Sequence, residues 1–223
     1  MSIWIKICAN TTLADARLAA EAGADAVGFV FARSKRQVTV EQVAAMVPEL
    51  PANLEKIGVF VDATADEMER TLRLCGLTGV QLHFDAELAL TAELRRRLGN
   101  AKKILRVRHF SSEALDAQAL EKLTDPSVDA VLVDSRSTTA VGGTGETFDW
   151  ITASQTLFRA ARERGVKLVV AGGLGPENVA EAIRVLNPWG VDVASGVEAA
   201  PGRKDAAKVR GFVDAARRSR QDG

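Results

Sequence analysis

The chain has 223 residues, of which 47% are hydrophobic and 26% charged, a composition that can bury a sizeable core and is not typical of a disordered protein. Its 29 lysines and arginines equal its 29 aspartates and glutamates, so nothing in the charge points to nucleic acid or to an anionic membrane surface. The sequence shows neither a signal peptide nor an apolar stretch near the roughly 18 residues of a membrane helix, and a cytoplasmic protein is expected.

Short runs rich in valine and isoleucine alternate along the chain with longer amphipathic runs. They predict eight strands, at residues 4–8, 26–30, 56–61, 79–83, 103–107, 130–134, 167–171 and 191–194. A helix is predicted after each strand, at residues 13–21, 40–47, 66–74, 87–98, 113–123, 148–164, 176–186 and 204–217. Thr11 or Thr12 would cap the first helix, and Pro176 fits the first turn of the seventh.

The predicted strands are nearly continuous apolar runs, which is typical of parallel strands covered on both faces. Eight strand–helix units could form an open doubly wound sheet or a closed barrel. The chain length favours closure, and no linker or composition shift divides the sequence. We therefore predict an α/β fold, a single-domain (β/α)8 TIM barrel over residues 1–223, with its chemistry at the carboxyl ends of the strands.

Two reactive side chains stand at the ends of predicted strands. Cys8 closes the first strand and Asp134 closes the sixth, so a barrel would place both on the same rim. A thiol and a carboxylate that face one cavity can act as a general base and a general acid. The structural alternatives are that Cys8 is an inert core thiol and that Asp134 caps a turn or pairs with Arg136.

Two glycine-containing turns follow the last two predicted strands. The first contains Gly172 and Gly173, and the second contains Ser195 and Gly196. Loops after the seventh and eighth strands of a barrel often bind phosphate, because their backbone N–H groups can approach the ligand. The glycines of either loop alone could serve only to make a tight turn. Two such loops after the seventh and eighth strands together indicate a phosphate site.

Other polar residues near the predicted rim have less specific signals. Arg36 lies in a basic loop. Its side chain could bind a planar carboxylate through two parallel hydrogen bonds or could simply be exposed to solvent. His83 ends the fourth strand and could assist at the rim or be structural, whereas His109 is predicted to lie in a loop. Asp192 lies inside the last strand and could brace the rim. The glycine-rich segment 142–145 resembles a phosphate loop loosely and could instead close over a substrate.

The cysteines and tryptophans are more simply structural. Cys8 and Cys75 fall in different units without zinc-like spacing, and two cysteines do not make a disulfide framework. Reduced thiols and no metal site are expected. The three tryptophans, Trp4, Trp150 and Trp189, suggest core or edge packing rather than a stacking platform.

The motifs together resemble the phosphoribosylanthranilate isomerase family of tryptophan biosynthesis over essentially the whole chain. The matching segments are residues 6–8, 22–31, 34–36, 58–61, 80–83, Asp134 with 142–145, 148–150, 171–174, 176–179, Asp192 with 195–198, 201–202 and 204–205. The resemblance implies that Cys8 is the general base, that Asp134 is the general acid and that Arg36 holds the anthranilate carboxylate.

The same resemblance implies a substrate-binding set that comprises Arg36, His83, Gly143, Gly172, Gly173, Asp192, Ser195 and Gly196. Three positions depart from the family pattern: Ala9 replaces the usual glycine, Lys35 the usual proline and Phe84 the usual glycine. None of them removes a reacting group, so the departures bear on efficiency rather than on the class of reaction.

The implied reaction is an Amadori rearrangement of a phosphosugar with no metal or organic cofactor, because an imine formed from the substrate is the electron sink. A small-molecule phosphosugar is the expected partner, without nucleic acid or membrane, and the chain could be a monomer or a homodimer. The competing hypotheses are a related phosphosugar barrel, such as an epimerase or the histidine-pathway isomerase, and a non-catalytic phosphosugar-binding barrel.

Overall fold

A computed structural model describes residues 2–109, 121–134 and 150–219. Eight parallel strands form a closed barrel in chain order, with β1 hydrogen-bonded to β8 as well as to β2. The strands are β1 (Trp4–Ile7), β2 (Ala26–Val30), β3 (Glu55–Phe60), β4 (Gly79–Leu82), β5 (Lys103–His109), β6 (Ala130–Asp134), β7 (Leu168–Ala171) and β8 (Gly190–Val193). The predicted barrel is confirmed.

Helices pack around the outside of this barrel. Their bounds are α1 (Leu13–Glu21), α2 (Val40–Met46), α3 (Ala65–Cys75), α4 (Leu88–Leu98), α5 (Trp150–Ala153), α6 (Arg159–Glu163), α7 (Val179–Leu186) and α8 (Ala206–Arg218). Threonine side chains cap the first three: Thr12 accepts from the Asp15 N–H, and Thr39 and Thr64 form capping boxes with Gln42 and Glu67. Among the described residues, no helix is long and apolar enough to cross a membrane.

Strand alternation divides the apolar residues into two layers. Ile3, Ile5 and Ile7 of the first strand segment pack outward against the helices. Alternate residues fill the barrel interior, in a cluster made of Trp4, Ala26, Ile57, Leu105, Val107, Ala130, Leu132, Val169 and Ala171. Because Lys6 follows Trp4 by two positions and Cys8 follows Lys6 by two, all three side chains of this series face the barrel axis.

The chain departs from the predicted elements near its end. The predicted helix at 204–217 begins only at Ala206, because residues 198–204 form a small antiparallel hairpin of β9 (Glu198–Ala200) and β10 (Arg203–Lys204). The seventh helix begins at Val179, so the prediction that Pro176 lies in its first turn is wrong: residues 176–178 form a turn before it.

Three smaller differences concern the middle of the chain. His109 is the last residue of β5 rather than a loop residue. The predicted helix at 148–164 contains a π-helical segment, Ser154–Phe158, between α5 and α6. Most of the predicted helix at 113–123 lies outside the described residues, and its last three residues, 121–123, are helical.

Candidate active site

A cavity of about 580 Å³ opens at the carboxyl ends of the strands. Its lining includes every predicted site residue that the structure describes: Cys8, Arg36, His83, Asp134, Gly172, Gly173, Asp192, Ser195 and Gly196. The remaining one, Gly143, lies outside the described residues, as does the segment 142–145 around it. One cavity therefore holds the thiol, the carboxylate and the two predicted phosphate loops.

Cys8 directly follows β1 and is fixed there by its backbone. Its N–H donates to the Val193 carbonyl at 2.8 Å. The turn after it is held by Asn10, whose fully buried side-chain amide donates to the Ile7 carbonyl at 2.8 Å. Ala9, between them, has φ = 61°, in the left-handed region that favours glycine. The thiol thus stands on a tight, well-determined turn at the rim.

Gly28 of β2 makes room for the thiol. A Cβ at this position would lie 2.7 Å from Cys8 Sγ and 3.1 Å from Lys6 Cε. The sulphur and the end of the Lys6 side chain therefore lie together over the same glycine. Lys6 is fully buried, and its ammonium donates to Asp192 Oδ1 at 2.8 Å.

The surroundings of Cys8 act on its pKa in opposite directions. Burial raises the pKa of the thiol, which lies above its ordinary value, because a thiolate loses the solvation that water provides. The charge and hydrogen bond of Lys6 and the charge of Lys204 favour the thiolate, whereas the charge of Asp192 disfavours it. The site is thus a buried thiol with compensating cations.

Arg36 forms a two-bond ion pair that the sequence did not reveal. Its Nε and Nη2 donate to the two carboxylate oxygens of Glu198 at 2.8 and 2.7 Å. Burial raises the pKa of Glu198, but the hydrogen bond from Arg36 and the charges of Lys204 and Arg36 outweigh it, so this pKa lies below its usual range. Lys204, whose side chain is buried, donates to the Ala194 carbonyl at 3.0 Å and approaches Glu198 at 3.4 Å.

The opposite part of the cavity wall carries Asp134, His83 and Gln81. Asp134 ends β6 and is 2% exposed, and His83 directly follows β4 with its N–H bonded to the Phe60 carbonyl at 2.9 Å. Gln81 is buried, and its Oε1 has no hydrogen-bond partner in the described ranges of the chain. Gln81 lines the same cavity, although nothing in the sequence marks it as a site residue.

The two glycine-containing loops touch each other beside the cavity. Gly172 and Gly173 have φ of 81° and 63°, a conformation that other residues rarely adopt. A Cβ on Gly196 would lie 1.9 Å from the Leu174 carbonyl oxygen, so only glycine permits this approach of the second loop to the first. Such close backbone packing suits a cradle built from N–H groups.

Sequence reasoning missed Lys6, Glu198 and Lys204. The signal for Lys6 was only partial: it is a charged residue in an otherwise apolar strand, but the sequence did not fix the direction of its side chain. Glu198 and Lys204 belong to the hairpin that was predicted as loop and helix, and the pair with Arg36 spans 162 positions of sequence. Among the residues that the structure describes, no cluster of three or more His, Cys, Asp or Glu side chains could hold a metal ion.

Comparison with known proteins gives a consistent family. The model of a family described as N-(5'-phosphoribosyl)anthranilate (PRA) isomerase matches residues 5–215. The N-(5'-phosphoribosyl)anthranilate isomerase of Pelobacter propionicus is 45% identical over 99% of this chain and 98% of its own. That of Geobacter sp. strain M21 is 46% identical over 96% of this chain and 98% of its own.

Solved structures agree with this match. Phosphoribosyl anthranilate isomerase from Thermotoga maritima superposes with a TM-score of 0.82 at 34% identity, covering 96% of this chain and 98% of its own. A structure of phosphoribosyl anthranilate isomerase in complex with reduced 1-(o-carboxyphenylamino)-1-deoxyribulose 5-phosphate superposes with a TM-score of 0.78, with the same identity and coverage. The chain therefore belongs to the N-(5'-phosphoribosyl)anthranilate isomerase family, whose members act in tryptophan biosynthesis.

Proposed function

We propose that the chain converts N-(5'-phosphoribosyl)anthranilate to 1-(2-carboxyphenylamino)-1-deoxyribulose 5-phosphate by an Amadori rearrangement, with Cys8 as general base and Asp134 as general acid. The observation that carries the proposal is that both side chains line one cavity at the carboxyl end of the barrel. A related structure contains a reduced form of this product, which supports the same class of ligand here.

The strand order suggests how a substrate lies in the cavity. β7 and β8 stand between β6, which ends in Asp134, and β1, which leads to Cys8. The phosphate would therefore lie on the loops after β7 and β8, with the ribose between the acid and the base. Arg36 follows β2, on the other side of Cys8, and would receive the anthranilate carboxylate.

Arg36 can bind that carboxylate while it keeps its bond to Glu198. A guanidinium has five N–H donors arranged along two usable edges. Glu198 occupies the Nε and Nη2 edge, which leaves the Nη1 and second Nη2 donors for a planar carboxylate. Glu198 would thus hold the guanidinium in place before the substrate arrives. Because the Arg36 side chain is then already ordered, the entropic cost of binding is lower.

The first step opens the ribose ring. Protonated Asp134 donates its proton to the ring oxygen as the bond from that oxygen to C1' breaks. The nitrogen lone pair of the substrate forms a C1'=N bond, which yields a protonated imine.

In the second step the Cys8 thiolate removes the proton from C2', and the electrons of that bond form C1'=C2' while the imine electrons return to nitrogen. The resulting enolamine tautomerises to the ketose, losing the O–H proton at C2' and gaining one at C1'. The imine is the electron sink, so the proposed steps need no cofactor. Each acid–base group typically contributes about 10²–10⁴-fold to the rate.

Two substitutions test the assigned roles. We expect Cys8→Ser and Asp134→Asn each to lower kcat by about 10²–10⁴-fold, measured by the fluorescence change of the anthranilate group during turnover. Cys75→Ser is the matched control, because Cys75 is also a buried free thiol but lies at the end of α3. It should turn over like the wild type. Wild-type rates for Cys8→Ser or Asp134→Asn would refute the role of that residue.

Complementation of a tryptophan auxotroph separates the competing hypotheses. A phosphoribosylanthranilate isomerase restores growth without tryptophan, whereas an epimerase, a histidine-pathway isomerase or a non-catalytic binding barrel does not. Growth that depends on both Cys8 and Asp134 would support the complete proposal.

A further inference from the structure

The proposed base presents a physical problem. A thiol removes a proton only as the thiolate, yet burial raises the pKa of Cys8 above that of a free cysteine. Something in the fold must offset that burial if Cys8 is to act at neutral pH. Within the described part of the chain, the charged groups that face Cys8 are Lys6 from β1, Asp192 from β8, Lys204 from β10 and Arg36 from the loop after β2.

Lys6 differs from the other two cations in its position beside the sulphur. Arg36 and Lys204 both bind Glu198, whereas Lys6 lies next to Cys8 and is, of the three, the cation that most favours its thiolate. Lys6 gives one hydrogen bond to Asp192, and an ammonium has three N–H donors. The end of its side chain lies beside the sulphur over Gly28, within 3.1 Å of a Cβ that would itself stand 2.7 Å from Cys8 Sγ.

Lys6 also cannot move away from this position. The residue is fully buried, lies two positions before Cys8 on the same strand, and is anchored to Asp192 at 2.8 Å. Burial lowers the pKa of the Lys6 ammonium, but the charges and hydrogen bonds of Asp192 and Cys8 outweigh it, so its pKa lies above its ordinary value. These partners therefore favour the charged form of Lys6.

We propose that Lys6, anchored by Asp192, is a positioning residue that orients the Cys8 sulphur and stabilises its thiolate. The inference rests on the proposed role of Cys8 as the general base. The Lys6–Asp192 pair would thus have a function besides stability. Buried ion pairs can often be replaced by apolar residues without loss of stability, so stability alone does not explain this pair.

The experiment titrates the thiol directly, without substrate. In a Cys75→Ser background, the rate of alkylation by iodoacetamide is measured against pH, and it follows the thiolate fraction of Cys8. An opposite charge within about 4–6 Å shifts a pKa by about 1–3 units. We therefore expect Lys6→Met to raise the pKa of Cys8 by at least about one unit and to move the acid limb of the kcat/KM profile to higher pH by the same amount.

Lys56→Met is the matched control. Lys56 is also a buried lysine, but it is the second residue of β3, at the opposite end of the barrel, and donates to the Pro51 and Ala52 carbonyls. Its loss should leave the Cys8 titration unchanged. If Lys6→Met does not fold because Asp192 is left unpaired, Lys6→Met with Asp192→Asn removes both charges. The thiol pKa should still rise in this double variant, by less than in the single one.

The outcomes separate this inference from the proposed function. An unshifted Cys8 titration in folded Lys6→Met, or in the double variant, would overturn the role of Lys6 even if Cys8→Ser is inactive. Full turnover by Cys8→Ser would refute the base itself, whatever the titration shows. A raised thiol pKa together with a displaced kcat/KM profile supports both.

Discussion

The two ends of the barrel interior are built from different chemistry. At the amino end, Trp4 stacks on Trp189 with ring centroids 5.1 Å apart, and its indole N–H donates to Glu55 at 3.2 Å. Lys103 lies over both rings, at 5.4 and 5.5 Å from their centroids. At the carboxyl end, the interior instead holds buried charges around an open cavity. We infer that packing at the amino end stabilises the barrel, whereas the buried charges at the carboxyl end serve chemistry and lower its stability.

The largest expected effect lies at the amino end. Replacing Trp4 by alanine removes a buried indole and its stack on Trp189, and such substitutions cost about 3–5 kcal/mol of the free energy of unfolding. Urea denaturation measures the loss, with Trp4→Phe as a milder control. The kcat of the folded variant should match the wild type, because Trp4 lies one inward position below Lys6 and two below Cys8. A large fall in kcat would contradict the separation of the two ends.

Two glycines allow the same change to be made at each end. A Cβ on Gly190 would lie 2.9 Å from the Trp4 ring, and a Cβ on Gly28 would lie 2.7 Å from Cys8 Sγ. Overpacking costs about 1–3 kcal/mol in either case. Gly28→Ala should in addition lower kcat by about 10²-fold, because it displaces the proposed base, and displacements near 1 Å have costs of this order.

Measuring both stability and kcat for the two glycine variants sharpens the comparison. Gly190→Ala should lose stability and keep its turnover, since the three atoms nearest to its new methyl group all belong to Trp4. Equal losses of kcat in the two variants would show that distortion spreads along the whole barrel rather than staying at one end.

A smaller effect is expected at the Arg36–Glu198 pair. Glu198→Gln removes the negative charge that pairs with Arg36 and Lys204. The NH2 group of the new amide would then face the N–H donors of the guanidinium. We expect the KM for the substrate to rise about tenfold, equivalent to about 1.4 kcal/mol, with little change in kcat. Glu49→Gln is the control, since Glu49 pairs with Arg17 at 2.7 Å on the exposed surface. A fall in kcat at constant KM would contradict this role of Glu198.

The same pair shows where sequence-based prediction reaches its limit. The barrel follows from local periodicity and chain length, and the rim positions of Cys8 and Asp134 follow from the strand ends. The partner of Arg36 lies 162 positions away in a short hairpin, and residues 204–217 have enough helical character to conceal it. Lys6 needed the inward or outward direction of β1, which becomes definite only when the strand is placed in the sheet.

The smallest expected effect concerns Ala9, where the chain departs from the glycine usual in the family it resembles. Ala9 adopts φ = 61°, and a left-handed conformation costs a residue with a Cβ about 1–2 kcal/mol. Glycine would relieve that strain but add about 0.4–1 kcal/mol of chain entropy to the unfolded state. Ala9→Gly should therefore increase the free energy of unfolding by a net of about 0.5–1 kcal/mol.

Differential scanning calorimetry and urea denaturation measure this gain, with Ala24→Gly as the control. Ala24 lies in the loop between α1 and β2 and has no positive φ, so the same substitution there should only destabilise. Ala9 is buried against Cys8 and Val59 at the rim, and any strain it stores acts on the turn that carries the thiol. A destabilised Ala9→Gly would mean that the methyl contacts of Ala9 outweigh its backbone strain, and that the carboxyl end depends on packing as the amino end does.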